Sequence, residues 1–316
     1  MEHTRSPRLS VITPLYNCLE YTKAMVASLQ DSMPGWVSYE VILVDDGSTD
    51  GTREWLATLK APFRFVLNET NSGFGVSNNR GAAVARGRVL ALLNNDLVLR
   101  PGWLGPMLRA LDHLGSYAGV VGNIQRNAAT GAIDHSGILV DEKAKPVHDH
   151  SLPSFASRFL WPEKRVMAVT GACMLIRAET WRQLGGFDEK FINGCEDVDL
   201  CLRASEEGLV NVVALDSTVL HHVSKSPGRK LRDEENTRRL VQRWRHVFAA
   251  ALALEPARML LREHIAEPRD FPEKLEAIWM ASYLARIHSI PPLRALEPGY
   301  AIIDLELARW REMFSD

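Results

Sequence analysis

The chain has 316 residues, is 46% hydrophobic and 24% charged, and carries a formal net charge of −2. That length suits one large domain, or one domain with an appendage, and the near-neutral charge gives no global attraction to nucleic acid. Cys18, Cys173, Cys195 and Cys201 lack CxxC spacing and read as reduced structural thiols of a cytosolic protein. The first residues show no apolar leader, and the longest apolar stretch, VFAAALALEPARMLL, is interrupted by Glu255, Pro256 and Arg258, so no membrane span is expected.

In chain order, LSVITP predicts a strand and 19–30 a helix. YEVILVDD is a β-branched run of the kind buried parallel strands show, and DGTREWLATLK reads as a helix capped by Asp50. FRFVLN is a third strand, GVSNNRGAAVARG a helix closed by Gly87, and RVLALLNND a fourth strand. This βαβα alternation predicts an α/β fold, a mainly parallel central sheet flanked by helices. YAGVVGNIQ, AIDHSGILVD, VMAVTGACMLI and LVNVVAL are further strands, with a loop over roughly 141–165 and helices at AETWRQL and EDVDLCLRASEEG. From about residue 225 strand patterns stop and a helical extension is expected. The predicted domains are 1–225, with halves at about 1–100 and 101–225, and 226–316.

In open α/β sheets, ligands bind outside the carboxyl ends of the strands. Four ends carry polar groups: Thr13 to Asn17; Asp45, Asp46, Gly47 and Ser48; Asn68 and Glu69; Asn94, Asn95 and Asp96. Each alone fits a turn or a helix cap, whereas their gathering on one edge points to a site. No GxGxxG, GxxxxGK[ST] or GxSxG is present. Carboxylates at such an edge suggest a hard divalent cation bridging protein and phosphates.

VITPLYN, VILVDDGSTDGT, NSGFGVSNNRGAAVARGRVLALLNND, VTGACMLIRAETW, GGFDEKF and EDVDLCLR together resemble the family 2 inverting glycosyltransferases of GT-A fold, over roughly residues 8–225. HHVSKSPG resembles the His-containing segment of the rhamnosyltransferase-like branch. The resemblance implies that Pro14 and Tyr16 flank the nucleotide base and that Asp46 hydrogen-bonds it. Asp45 would support that loop, and Asn78 or Arg80 would reach the nucleotide or diphosphate. Asn94, Asn95 and Asp96 occupy the DxD position, with Asn95 near the ribose or sugar and Asp96 binding Mn²⁺ or Mg²⁺. Asn94 departs from the motif's first Asp and leaves Asp96 as the anionic ligand.

Inverting transfer needs a base opposite the leaving diphosphate. The resemblance places it in the Glu196–Asp197 pair. Helical spacing sets Val198, Cys201 and Leu202 on one apolar face and Asp199 and Arg203 opposite as a surface ion pair. Asp197 borders the buried face and is the first choice, Glu196 the second; alternatively these acids complement the helix N-terminus. Relatives use a His after the last strand as a further metal ligand, and alternation lets only one of His221 and His222 face the site, His222 being preferred. Lys225, Arg229 and Lys230 suggest a lid over the diphosphate, or a solvated basic loop. Trp181 and Asp188 fall in the segment that faces the acceptor in the family, although a helical Trp is equally a core residue. His148 and His150 read as a solvated loop, and TRRLVQRWRHVF as a packing helix that could touch anionic lipid.

The expectation is a metal-dependent, inverting transfer from a UDP-, dTDP- or GDP-sugar to a glycan or lipid-linked acceptor. The expected setting is bacterial polysaccharide, glycolipid or glycoprotein assembly, cytoplasmic with peripheral contact at the inner membrane face and no nucleic-acid partner. A non-catalytic nucleotide-sugar or glycan-binding module and a sugar nucleotidyltransferase are the rivals.

Overall fold

A computed structural model describes residues 6–222, 232–266, 271–285, 287 and 290–314. Its first half runs β1 (Leu9–Leu15), α1 (Leu19–Ser32), β2 (Tyr39–Asp45), α2 (Thr52–Leu56), β3 (Phe63–Leu67), α3 (Phe74–Val84) and β4 (Val89–Leu93). There follow β5 (Leu97–Val98), α4 (Leu104–Leu114), β6 (Ala118–Asn127), β7 (Ile133–His135), β8 (Ile138–Val140) and β9 (Pro146–His148). Then come α5 (Phe155–Leu160), β10 (Glu163–Arg165), β11 (Cys173–Arg177), α6 (Ala178–Leu184), α7 (Glu196–Glu206) and β12 (Val210–His221). The helices α8 (Asp233–Arg243), α9 (Arg245–Leu252), α10 (Leu254–Ala266), α11 (Phe271–Leu284) and α12 (Leu293–Phe314) complete the described chain.

The main sheet has the order β10-β12-β6-β11-β4-β1-β2-β3. β3, β2, β1 and β4 are parallel neighbours, so their carboxyl ends share one edge. β11 runs antiparallel between β4 and β6, and β6 and β12 are parallel. The continuous apolar runs of β1, β2 and β4 are explained by burial on both faces. On one face Leu104, Met107, Leu108 and Leu111, at i, i+3, i+4 and i+7 of α4, join Met25 and Leu29 of α1 over the strands. On the other face α3 packs on β1 and β2, and α7 on β6 and β12.

Three predicted elements differ. α2 ends at Leu56 instead of running to residue 60, because the chain must turn to enter β3 at Phe63. The loop over 141–165 contains β9, α5 and β10. VMAVTGACMLI is a strand only from Cys173; before it Ala168 bridges Ile138 and residues 170–172 turn toward the shared edge.

The chain divides into two compact units, one holding residues up to 138 and 148–233, the other 139–147 and 234 onward. The second unit has its own core of Ala253, Ala257, Tyr283 and Ala295 under Leu260, Leu284 and Leu296. Lys145 joins it through an ion pair to Glu234 at 2.5 Å. Leu240, Val241, Trp244 and Phe248 are all buried, so the aromatics of TRRLVQRWRHVF serve packing and are not offered to lipid or bases. Among the described residues no helix is long and apolar enough to cross a membrane.

Candidate active site

Two aspartates tie the first three strand ends together. Asp45, fully buried at the end of β2, accepts from Arg53 Nε at 2.6 Å and from the Ser48 N–H at 3.2 Å. Asp46 is 4% exposed and accepts from Asn68 Nδ2 at 2.7 Å, the Ser72 N–H at 2.9 Å and the Gly73 N–H at 2.8 Å. A buried carboxylate is tolerated because charged hydrogen bonds replace its water. Gly47 has φ 82°, and a Cβ there would stand 3.0 Å from the backbone of Thr70 and Asn71, so the second loop lies directly on the third. After β1, Asn17 at φ 53° accepts the Thr49 N–H at 2.8 Å and donates its own N–H to Ser48 Oγ at 2.9 Å. Pro14 and Tyr16 lie half-buried beside this junction. Asp46 thus spends three of its roughly four acceptor positions on building the edge.

Of the two candidates on α3, only Arg80 is exposed, with Nη1 on Asn68 Oδ1 at 2.5 Å. Asn78 is fully buried and donates to the Phe74 carbonyl at 2.9 Å, so the expectation that it reaches a nucleotide is corrected: it lies on the face that α3 packs against β1 and β2.

The fourth strand end meets β12. Asp96 is 7% exposed, and its Oδ1 lies 3.2 Å from His221 Nε2. β5 pairs antiparallel with β12, Leu97 opposite His221, which brings the two together. His221 Nδ1 lies 3.6 Å from Asp134 Oδ2, and this histidine holds the Asp134 carboxyl below the usual range against the opposing effect of burial. His222 stacks edge-on against Tyr21 at 5.0 Å and gives only its backbone N–H to the Asp96 carbonyl. Of the two histidines it is therefore His221, and not the preferred His222, that stands beside Asp96, since the register with β5 selects that face of β12. Asn95 Nδ2 donates to Thr22 Oγ1 at 3.0 Å.

Among the described residues no three His, Cys, Asp or Glu side chains converge on a preformed metal site. The Asp96–His221 pair nonetheless fits a divalent cation. Neighbouring ligands at about 2.1 Å in octahedral geometry stand about 3 Å apart, and carboxylate plus imidazole is a donor set that Mn²⁺ accepts.

The acids of α7 separate by environment. Its N-cap, Cys195, has φ 71°, and Glu196 is 4% exposed, folded back onto the Gly194 N–H at 2.7 Å. Asp197 is half-buried and accepts from the Gly171 N–H at 2.6 Å and the Val198 N–H at 2.8 Å. Asp199 is fully buried against Arg203 Nε at 2.8 Å, so the expected surface pair is an interior one. The reason is that Arg203 also donates to the carbonyls of Leu184 and Gly186, closing the C-terminus of α6.

One short loop joins base candidate and DxD position: the Ala172 carbonyl accepts the Asn94 N–H at 2.9 Å, and the adjoining Gly171 N–H holds Asp197. Asparagines complete the frame. Asn193 Oδ1 accepts the Phe74 N–H at 2.9 Å, and Asn79 bonds both backbone groups of Phe187. Sequence reading passed over both; Asn193 is signalled only by its place before Gly194 in a turn-rich stretch, and Asn79, inside α3, by nothing local.

Trp181 is 5% exposed and edge-on to Phe187 at 5.0 Å, so it is core and not an acceptor contact. Asp188 is half-buried and accepts the Lys190 N–H at 3.0 Å. The 148–150 segment is not a solvated loop: His148 stacks on His135 at 4.9 Å, and Asp149, 8% exposed, pairs with Lys164 at 2.5 Å. His135 is buried, which first of all pushes its imidazole well below the ordinary range, and its Nε2 accepts the Thr170 N–H at 3.3 Å. Lys225, Arg229 and Lys230 lie outside the described residues.

A family model described as glycosyl transferase family 2 matches residues 10–185. An uncharacterized protein of Sinorhizobium fredii, y4gI, is 31% identical over 262 residues, 77% of this chain and 28% of that protein. The N-acetylglucosaminyl-diphospho-decaprenol L-rhamnosyltransferase of Mycobacterium tuberculosis is 28% identical over 243 residues, 70% of this chain and 78% of the enzyme. The chain thus spans under a third of the first relative and most of the second. Among solved structures, GalNAc-T7 with UDP, GalNAc and Mn²⁺ superposes with a TM-score of 0.63 at 18% identity, covering 90% of this chain and 59% of its own.

Proposed function

The chain belongs to glycosyl transferase family 2, and from that premise we propose that it moves a sugar from a nucleoside-diphosphate donor to a hydroxyl acceptor with inversion at the anomeric carbon. The observation that carries this reading is the 171–172 loop, which fixes Asp197 beside the Asn94–Asp96 turn. Direct displacement requires base and leaving diphosphate to be held in fixed relation, and consecutive residues of one loop are a means of doing so.

In that reaction the acceptor oxygen forms a bond to the anomeric carbon while the bond to the diphosphate oxygen breaks, and the acceptor proton passes to an Asp197 carboxylate oxygen. The Gly171 and Val198 N–H groups orient that carboxylate. Tyr16 and Pro14 offer apolar faces to the base, and the remaining acceptor capacity of Asp46 serves one base N–H. Arg80 gives charge toward the diphosphate. Mn²⁺ or Mg²⁺, when bound by Asp96 and His221, supplies positive charge beside the departing phosphate oxygen. The named activity of the mycobacterial relative, transfer of L-rhamnose to an N-acetylglucosaminyl-diphospho-decaprenol, supports a lipid-linked acceptor.

Asp197→Asn tests the reading. Transfer is expected to fall by about 10²- to 10⁴-fold while the affinity for donor nucleotide changes little. Wild-type turnover in this variant would move the base elsewhere. A protein that binds UDP-, dTDP- or GDP-sugars yet never releases nucleoside diphosphate with Mn²⁺ would be a binding module.

A further inference from the structure

Residues 150–162 leave the sheet between β9 and β10 and contain no Asp or Glu. On them Phe155, Phe159, Leu160 and Trp161 are 86%, 82%, 67% and 69% exposed. Phe155 and Phe159 stand four apart on one helix face. Clustered apolar exposure of this kind marks an interaction surface. The segment is held in place: Ser154 Oγ caps α5 by accepting the Ser157 N–H at 3.2 Å, and Pro162 O accepts the Leu215 N–H at 2.9 Å. Arg158 donates to the Leu215 carbonyl at 2.8 Å and pairs with Asp216 at 3.6 Å.

Asp216 also lines a cavity of about 350 Å³ together with Arg100, Trp103, Arg126 and Thr218. The acid in this cavity is already engaged by Arg158, so Arg100 and Arg126 set its charge. The Arg158–Asp216 pair thus connects the aromatic segment to this cavity at β12.

We propose that this face docks on an anionic lipid bilayer, the four apolar side chains entering the headgroup boundary and Arg100 and Arg126 meeting lipid phosphates. Trp and Phe beside Arg, with the one cavity acid, Asp216, already paired to Arg158, is the chemistry of interfacial membrane elements. A second protein copy fits less well. The four side chains offer about 600 Å² at most, against about 800 Å² per partner in a stable interface. Leu215 and His221 are six positions apart on β12, about 20 Å, so a docked molecule holds the Asp96–His221 pair within reach of a lipid-linked acceptor. That last consequence rests on the transfer reading; docking itself does not.

The test is co-sedimentation of the full chain with phosphatidylcholine vesicles, with and without phosphatidylglycerol. Wild type should bind the anionic vesicles. The Phe155→Ser, Phe159→Ser, Trp161→Ser triple variant should lose about tenfold or more in partitioning, with melting temperature and donor nucleotide affinity unchanged. Arg100→Ala should lose about fivefold on anionic vesicles and nothing on neutral ones, and it carries the test if the triple variant folds poorly. Unaltered binding by both variants, no wild-type binding, or loss of self-association in the triple variant without loss of vesicle binding would each overturn the proposal.

Discussion

Gly171→Ala separates the position of the base from its chemistry. A Cβ at residue 171 would stand 3.2 Å from the Phe74 ring and 3.3 Å from Asp197 Cβ. Ordinary carbon contacts lie at about 3.5–4.0 Å, so Asp197 or the loop must move by roughly 0.3–0.5 Å. If a misplacement of 1 Å costs about 10²-fold, logarithmic scaling gives a four- to tenfold loss in kcat, about 0.8–1.4 kcal/mol of barrier. The stability cost of such overpacking is about 1–3 kcal/mol. The carboxylate itself is kept, so Gly171→Ala should keep its turnover well above that of Asp197→Asn. Steady-state kinetics of the three proteins, with donor affinity measured by calorimetry, decides the matter. If Gly171→Ala turns over like wild type while Asp197→Asn is inactive, the 171–172 loop does not position the base, and the argument from the Asn94–Ala172 and Gly171–Asp197 bonds fails.

Two further outcomes are expected. Asp134→Asn should weaken Mn²⁺ binding by about 10- to 100-fold, because the carboxylate behind His221 sets which ring nitrogen faces Asp96; electron paramagnetic titration of free Mn²⁺ reads this without turnover, and unchanged affinity would remove Asp134 from the site. In the helical unit, burial opposes ionisation of Glu234, but Lys145, the Trp310 indole N–H and Arg309 outweigh it and hold the carboxyl at about 2. A depressed carboxyl stabilises above its unfolded value of about 4.3, and that stabilisation is lost as pH falls toward 2. Glu234 is 38% exposed, so solvent screening reduces the effect to about 1 kcal/mol. Thermal melts should show wild type more stable than Glu234→Gln at pH 6 and level with it near pH 2; a constant gap would refute the assignment.

The fold was legible where pattern and packing agree. β1, β2 and β4 are apolar because both faces are covered, and a continuous apolar run says so directly. α7 misled because its polar side is also interior: Asp199 and Arg203 obey i,i+4 spacing, yet Arg203 turns inward to close α6, a contact set by residues far away in sequence. His148 and Asp149 misled for the same reason, their partners His135 and Lys164 being brought by neighbouring strands. Asn78 and Arg80 are two positions apart on one helix, and only the placement of α3 on the sheet decides which is exposed.

The Asn94–Asn95–Asp96 turn shows why the proposed cation site could be read only halfway. A loop with one carboxylate is a poor metal site by itself, so the remaining donor has to arrive from another element. The two-residue strand β5 performs that delivery: it follows Asp96 immediately and pairs with β12 opposite His221. Strand alternation puts the two histidines on opposite faces, and only this antiparallel register shows that His221 is the one beside Asp96. Asp134 then stands behind the chosen imidazole from β7, itself a neighbour of β6. On the proposed reading, the motif carboxylate that Asn94 replaces is offset by a histidine whose position depends on three strands, and no local pattern in the chain encodes that dependence.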